Sequence, residues 1–397
     1  MAARLTTGWL PAFWAATRRE LAHWRGDRWE LLLVTALPLL LMALMAWLFS
    51  ASVMRGIPVA LVDLDGSTVS RELTRAIDAS PGVAVAMRSR DLAQAQEGLR
   101  SLDVYAVVLL PAGTERRVLR GEEAPVQVLY NATWLATGQA ASRELADALN
   151  AAGAQLSRGR IGRQAGPAGL RAPPVRVQAT VLHNPARSFE LFLLPLIFPA
   201  MLSLLAALAV GGAVGRERRD GTLAAWLGAR PWLAIAGKLC PYVALFSLYG
   251  AIGVAYVAGV RGGGIAGSAV LLLLAQPLFY LACAAFALLF LAAAPDMATG
   301  MSLVGLVVGT ALAFSGATFP VIDAPLFARV WNALLPLTAY VQLQMEQQFM
   351  GAPVAVSLRP LAVLVAMAAV PVALAGWRLR RIAGADGTAA AAGELRP

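Results

Sequence analysis

Residues 191–214 read LFLLPLIFPAMLSLLAALAVGGAV, and residues 215–223, which follow at once, read GRERRDGTL. The first stretch carries no Asp, Glu, Lys or Arg. It is long enough to cross a bilayer core, since about 20 apolar residues in a helix span roughly 30 Å. The second crowds Arg216, Glu217, Arg218, Arg219 and Asp220 into consecutive positions. An apolar block that stops on arginines reads as a transmembrane helix ending on the positively charged side of a membrane. It must be a helix, because lipid cannot satisfy an open backbone.

Working outward, five more blocks have this character: Leu31–Phe49, Leu239–Val260, Ile265–Pro295, Met297–Ile322 and Leu361–Trp377. The fourth and fifth blocks in chain order include some loop, and Asp296 sits in the connection between them. Six spans agree with a composition that is 58% hydrophobic and only 14% charged, against about 25% charged in a soluble domain. The expected class is a membrane α-helical protein with six transmembrane helices and a mixed α/β extracytoplasmic domain between helices one and two. The net charge of +10 would suggest nucleic acid in a soluble chain. Here the arginines gather at the ends of apolar blocks, so topology and anionic lipid account for them and nucleic acid does not.

Orientation follows from those arginines. Arg4, Arg18, Arg19, Arg25 and Arg28 precede the first span. Arg216, Arg218, Arg219, Arg230 and Lys238 fall in the loop expected after the second, and Arg378, Arg380, Arg381 and Arg396 follow the sixth. The opposite short loops hold only Arg261, Arg329 and Arg359. Both termini are therefore expected in the cytoplasm and residues 51–188 outside. The organisation read from this is an amphipathic interface helix in 1–30, a first span in 31–50 and an outer domain in 51–188. The remaining spans occupy 189–377, with a cytoplasmic segment at 215–238, and a tail covers 378–397. No cleavable signal peptide is expected, so the first block stays as an anchor.

Leu10, Phe13, Trp14, Thr17, Leu21 and Trp24 recur at helical spacing, which predicts a helix lying in the interface. Trp9, Trp14, Trp24, Trp29, Trp47 and Trp377 are expected to anchor at the membrane surface. The polar-aromatic stretch between Asp323 and Arg359 predicts short interfacial helices on the outer side. In the outer domain, strands are predicted at Ile57–Val62, Val83–Met87, Val104–Leu110, Val126–Tyr130 and Val175–Leu182. Helices are predicted from Ser67 through Ala79, at Asp91–Leu102 and at Trp134–Leu156, with a mobile linker at Arg158–Pro174.

Catalytic and metal chemistry finds little support. His23 and His183 are the only histidines and lie on opposite predicted sides. Cys240 and Cys283, the only cysteines, both fall in apolar blocks; neither a disulfide framework nor a metal spacing is present. Asp63-Leu64-Asp65-Gly66 reads as a turn after a strand, and lacks the later ligand positions of a calcium loop. Asn131-Ala132-Thr133 fits a glycosylation sequon. A P-loop needs G-x-x-x-x-G-K-[ST]; at the sole Gly-Lys pair, Gly237-Lys238, position 232 is Trp and Leu239 replaces the hydroxyl. The spans offer no charged relay for ion coupling. Gly211-Gly212, Gly250, Gly253 and the Gly305/Gly309 pair are candidates for close helix packing.

Read alone, residues 215–223 are either a topology signal or a docking element, and Glu217 and Asp220 favour docking because acids contribute little to topology. The stretch resembles the glutamate-and-GTL motif after the second span of ABC type-2 exporter permeases. Ala224-Ala225-Trp226 then follows Leu223, where the family more often carries Glu or a bulky aliphatic residue. Arg19-Glu20-Leu21 and Arg25-Gly26-Asp27-Arg28 resemble that family's entry helix, and Pro58–Asp65 the start of its outer domain. Asn184-Pro185 with Ser188 resembles the approach to the second span. Phe314–Pro320 and Leu335–Thr338 resemble the end of the fifth span and the segment after it.

The resemblance implies a transport subunit that binds no cofactor, works with a separate cytoplasmic ABC ATPase that carries ATP, and pairs with a second permease. It places Arg25, Asp27, Glu217, Arg218, Asp220, Gly221, Thr222 and Leu223 at the coupling to that ATPase. The expected setting is a bacterial inner membrane, with export of a hydrophobic or amphipathic cargo. A periplasmic adaptor and membrane lipid are further expected partners. The alternative is a non-transporting scaffold or receptor whose outer domain binds a ligand.

Overall fold

The structure is a computed structural model, and it describes residues 9–50, 54–120, 122, 124–130, 135–164, 188–318, 321–322 and 324–393. The chain divides into two compact units, one of residues 1–50 and 190–397 and one of residues 51–189.

The larger unit is helical. Among the described residues, six helices have the length and apolarity to cross a membrane: Arg28–Leu48, Phe189–Arg219, Pro231–Val260, Ala269–Ala293, Met297–Phe314 and Val354–Gly384. They are called here the first to sixth spans. An entry helix, Trp9–Gly26, precedes them. The first span is interrupted at Thr35, between helical pieces Arg28–Val34 and Ala36–Leu48. Pro38 has no N–H to give to the Val34 carbonyl four residues back. The buried Tyr249 hydroxyl of the third span donates to that carbonyl instead, at 3.2 Å.

The helical unit departs from the sequence expectations in three places. The charged segment at 215–238 is not mainly a loop. Gly215–Arg219 is the last part of the second-span helix and Pro231–Lys238 opens the third; only the short Leu223–Leu227 helix and its flanking turns lie between them. Helix continues through the charges because their side chains find partners on neighbouring helices. The stretch after the fifth span does contain helices, but not all are interfacial. Leu326–Leu334 buries no residue, whereas Pro336–Met345 buries most of its length. Its Tyr340 ring stacks on Phe279 of the fourth span with centroids 4.3 Å apart, so this segment belongs to the core.

The entry helix is the third departure, because it is not simply an interface helix. Its buried residues are Thr17, Glu20 and Trp24, while Trp14 and Leu21 are exposed. Trp24 is therefore a packing residue rather than a surface anchor; Trp14, Trp29, Trp47 and Trp377 remain exposed.

Among the glycines, Gly211, Gly250 and Gly253 face side chains of other helices at close range, but a Cβ at Gly305 or Gly309 would meet nothing within 4 Å in this chain.

The smaller unit holds a four-stranded sheet of β1 (Ile57–Asp63), β2 (Val83–Ser89), β3 (Ala106–Leu110) and β4 (Gln127–Tyr130). The order is β2-β1-β3-β4; β1 runs parallel to β2 and β3, and β4 pairs antiparallel with β3. Alternate residues of β1 enter different cores, as the period of two requires. Val59 and Leu61 pack with Leu73, Ile77 and Leu145 on one face. Ala60 and Val62 pack with Ala95 and Val107 on the other. Helices Thr68–Asp78 and Leu92–Arg100 begin close to where they are predicted, with Ser67 and Asp91 as N-caps that accept backbone N–H bonds.

The Asp63–Gly66 turn is built as read: Asp63 accepts from the N–H groups of Asp65 and Gly66, each at 2.9 Å. An unforeseen helix, Thr114–Arg120, starts on the Asp65 carboxylate. The long helix Leu135–Gln164 runs into the expected linker. The rest of that linker, the predicted strand Val175–Leu182 and the sequon at Asn131 lie outside the described residues.

Candidate functional site

The entry helix lies on the start of the third span. Gly237 permits the approach, because a Cβ there would stand 2.5 Å from the Phe13 carbonyl oxygen and 2.8 Å from the Ala16 methyl. Thr17 donates its hydroxyl to the Gly237 carbonyl at 2.9 Å. One helical turn further, Glu20 meets Lys238. The ammonium stands 2.8 Å from Glu20 Oε2 and 2.9 Å from Glu217 Oε1, joining the entry helix, the second span and the third through one nitrogen.

The network extends in both directions. Arg216 forks between Glu20 Oε1 at 2.6 Å and Glu30 Oε2 at 2.5 Å. Arg19 reaches Glu217 Oε2 at 3.1 Å, and the Thr222 hydroxyl also donates to Glu217. His23 Nε2 lies 2.8 Å from Glu30. The Tyr242 hydroxyl accepts from Trp24 Nε1 at 3.0 Å and stands 2.8 Å from Glu20 and 2.6 Å from Glu30; its single proton serves one carboxylate at a time. Lys238 also lies over the Trp226 ring, 5.1 Å from its centroid.

Three carboxylates and three permanent cations thus balance. That balance is what allows Glu20, Glu217 and Lys238 to be almost wholly buried, since an isolated buried charge is strongly unfavourable and a paired, hydrogen-bonded one is tolerated. Burial works against the Glu20 carboxylate. Lys238 first, then Arg216 and the Tyr242 hydroxyl, outweigh it and hold its pKa below the ordinary value.

The residues singled out in the sequence take unlike positions. Glu217 is interior. Arg218 donates to the carbonyls of Leu291, Ala294 and Pro295 at 2.5, 3.0 and 3.1 Å, completing the carbonyl end of the fourth span. Asp27 caps the first span through the N–H groups of Trp29 and Glu30 at 2.9 and 3.2 Å, and those two bonds, led by Glu30, lower its pKa. Gly221 turns the chain at φ +68°, Thr222 binds Glu217, and Leu223 is buried. Arg25 and Asp220 are exposed. A polar cavity of about 320 Å³ opens beside the network, lined by Arg19, Glu20, His23, Arg216, Glu217 and Asp220, together with Thr222.

Sequence reasoning missed Glu20, Glu30, Tyr242 and above all Lys238 as members of this site. One signal was available. Lys238 is the only lysine in a chain that otherwise uses arginine, and a compact ammonium is the group that fits between two buried carboxylates. His23, Asp27 and Glu30 lie close enough together to hold a metal ion. Their polar atoms are already engaged with Arg216, Tyr242 and the start of the first span, so the cluster reads as part of the ion network.

Six spans, an α/β unit between the first and second, and an entry helix ion-locked to two span ends define a polytopic membrane subunit. The family model for the ABC-2 family transporter protein matches residues 28–377, and the chain belongs to that family. Members are membrane transport subunits, and this chain is a multi-pass one. No curated protein matches it.

Proposed function

We propose that this chain is the permease half of an ATP-driven exporter, coupled to a separate cytoplasmic ABC ATPase through the entry helix and the 215–230 segment. The observation that carries this reading is the shared ion pair of Lys238 with Glu20 and Glu217. Displacing the entry helix from the span ends would leave buried charges unpaired, at a cost of about 3–5 kcal/mol for each broken pair. A load applied to its exposed face is therefore passed to the second and third spans rather than lost in slippage.

Arg25 and Asp220 are the exposed charged members available to an ATPase; Glu217, Thr222 and Leu223 hold the segment's shape. Both termini and the ion network lie on the cytoplasmic side, by the arginine bias of the sequence. Two permeases, identical or related, enclose the pathway. Its mostly uncharged spans suit a hydrophobic or amphipathic cargo moved outward, and a bacterial inner membrane is the natural setting. ATP binding drives transport only by favouring one permease state over another.

The test is recovery of the full chain from its native membranes in mild detergent, with its partners identified by mass spectrometry. An ABC ATPase is expected with the natural sequence and lost on the double substitution Arg25→Glu and Asp220→Arg, with thermal stability unchanged. A stable complex that contains no ATPase would overturn the exporter reading and favour a scaffold or receptor.

A further inference from the structure

A groove of about 300 Å³ runs along the outer surface of the spans, lined by Trp232, Ala236 and Leu239 of the third, Leu281 of the fourth, and Ala369 and Val372 of the sixth, among other residues that are all apolar. Ala236 and Ala369 are exposed small residues, and with no bulk at these positions the surface is concave. The wall residues Trp232 and Val365 are also exposed. All of its lining residues belong to helices long and apolar enough to cross a membrane, and an apolar concavity on such helices suits an acyl chain better than water.

One end of the groove carries charge. The Trp232 ring packs directly on Gly376, where a Cβ would collide with it. Val365, Ala369, Val372 and Gly376 fall on one stripe of the sixth-span helix at spacings of four, three and four, and the next turn of that face carries the buried Leu379 and, at its edge, the exposed Arg380. A four-residue step advances about 6 Å along the axis, which carries Arg380 just past the tryptophan.

Its neighbours are engaged elsewhere: Arg378 donates to the Ala293 carbonyl at 3.3 Å, and the Arg381 guanidinium lies 4.0 Å from the Trp377 ring centroid. Arg380 is exposed and has no acidic partner among the described residues.

We propose that this groove binds one anionic phospholipid, with an acyl chain against the alanines and leucines and the headgroup phosphate on Arg380. An aromatic side chain at headgroup level and a basic residue beyond it are the features that hold such a lipid between helices. A second copy of the chain is a poorer occupant, because a helix seated along the stripe would cover Arg380 without supplying it a counter-charge.

The test is native mass spectrometry of the full chain in non-ionic detergent, titrated with phosphatidylglycerol or phosphatidylcholine. Phosphatidylglycerol is expected to be retained, with a preference of about fivefold contributed by the single arginine. Ala369→Phe, which fills the groove, is expected to remove the retained lipid, whereas Leu306→Phe, on an exposed position of the fifth span, is not. Arg380→Gln, a surface change that leaves folding intact, is expected to keep lipid but equalise the two headgroups. Equal retention of both lipids by the natural sequence, or unchanged retention in Ala369→Phe, overturns the proposal. So does a dimer that dissociates on Ala369→Phe, which would place a second copy in the groove.

Discussion

Glu20 and Lys238 are separated by 218 positions in the sequence and by 2.8 Å in the structure, both buried. Their pairing makes the entry helix a part of the membrane bundle rather than a float on its surface.

Removing Lys238 leaves Glu20 and Glu217 facing each other without their common cation. Lys238→Met is expected to destabilise the protein by about 3–5 kcal/mol. Adding Glu20→Gln to it should recover part of the loss, because the uncompensated carboxylate is then gone. Thermal melting in detergent, read as a double-mutant cycle, checks both. Additive losses would show that the two residues do not act as a pair.

The same pair sets a pH dependence. The Glu20 pKa is lower in the folded protein than the 4.5 of a free glutamate. The unfolded chain therefore takes up its proton first as pH falls. The stabilisation is fully present above about 4.5 and is lost progressively as pH falls from there through the folded value. Melting temperatures of the natural protein and of Glu20→Gln, measured from pH 7 downward, are expected to converge at acid pH. A constant difference across that range would show that Glu20 ionisation is not involved.

Two span glycines should respond oppositely. A Cβ at Gly250 would press on the Gln276 side-chain oxygen and stand 2.9 Å from the Tyr280 hydroxyl, and both side chains are almost fully buried. Gly250→Ala is expected to cost about 1–3 kcal/mol. Gly305→Ala meets nothing within 4 Å and is expected to be neutral, or stabilising by up to about 1 kcal/mol through helix propensity. If Gly305→Ala instead weakens self-association, measured by native mass spectrometry, the fifth span is in contact with a second copy.

In the outer unit, Asp65 accepts from the N–H groups of Gly113 and Glu115 at 2.7 and 3.0 Å. It thereby starts the Thr114–Arg120 helix. Asp65→Ala is expected to cost about 1–2 kcal/mol and to speed amide hydrogen exchange at Gly113 and Glu115 while β1 stays protected. Unchanged exchange at those amides would rule out the capping role.

Much of the fold is legible without coordinates. Leu191–Val214 cannot be anything but a spanning helix, and the strands Ile57–Val62 and Val83–Met87 appear close to where their β-branched patterns put them. Periodicity locates such elements because each one must hide its own apolar atoms, which is a local requirement. The same reasoning misplaced Trp24 and Tyr340. An aromatic ring with a polar atom suits a membrane surface and a hydrogen-bonded core equally well, and only the partner, Tyr242 for one and Gln276 for the other, decides between them.

The candidate site was legible in position but not in construction. Residues 215–223 drew attention by their charge, yet Glu217 turned out to face inward and Asp220 outward, two readings of one acidic side chain that sequence does not separate. Sequence alone determined that this chain has six membrane-length apolar segments, a mixed α/β insert and arginines gathered at the ends of those segments, because hydrophobicity and charge are properties of short segments. Which charges neutralise one another was decided by the tertiary structure. Coulomb attraction in a buried site acts over a few ångströms, and only folding brings residues 20, 217 and 238 within that reach.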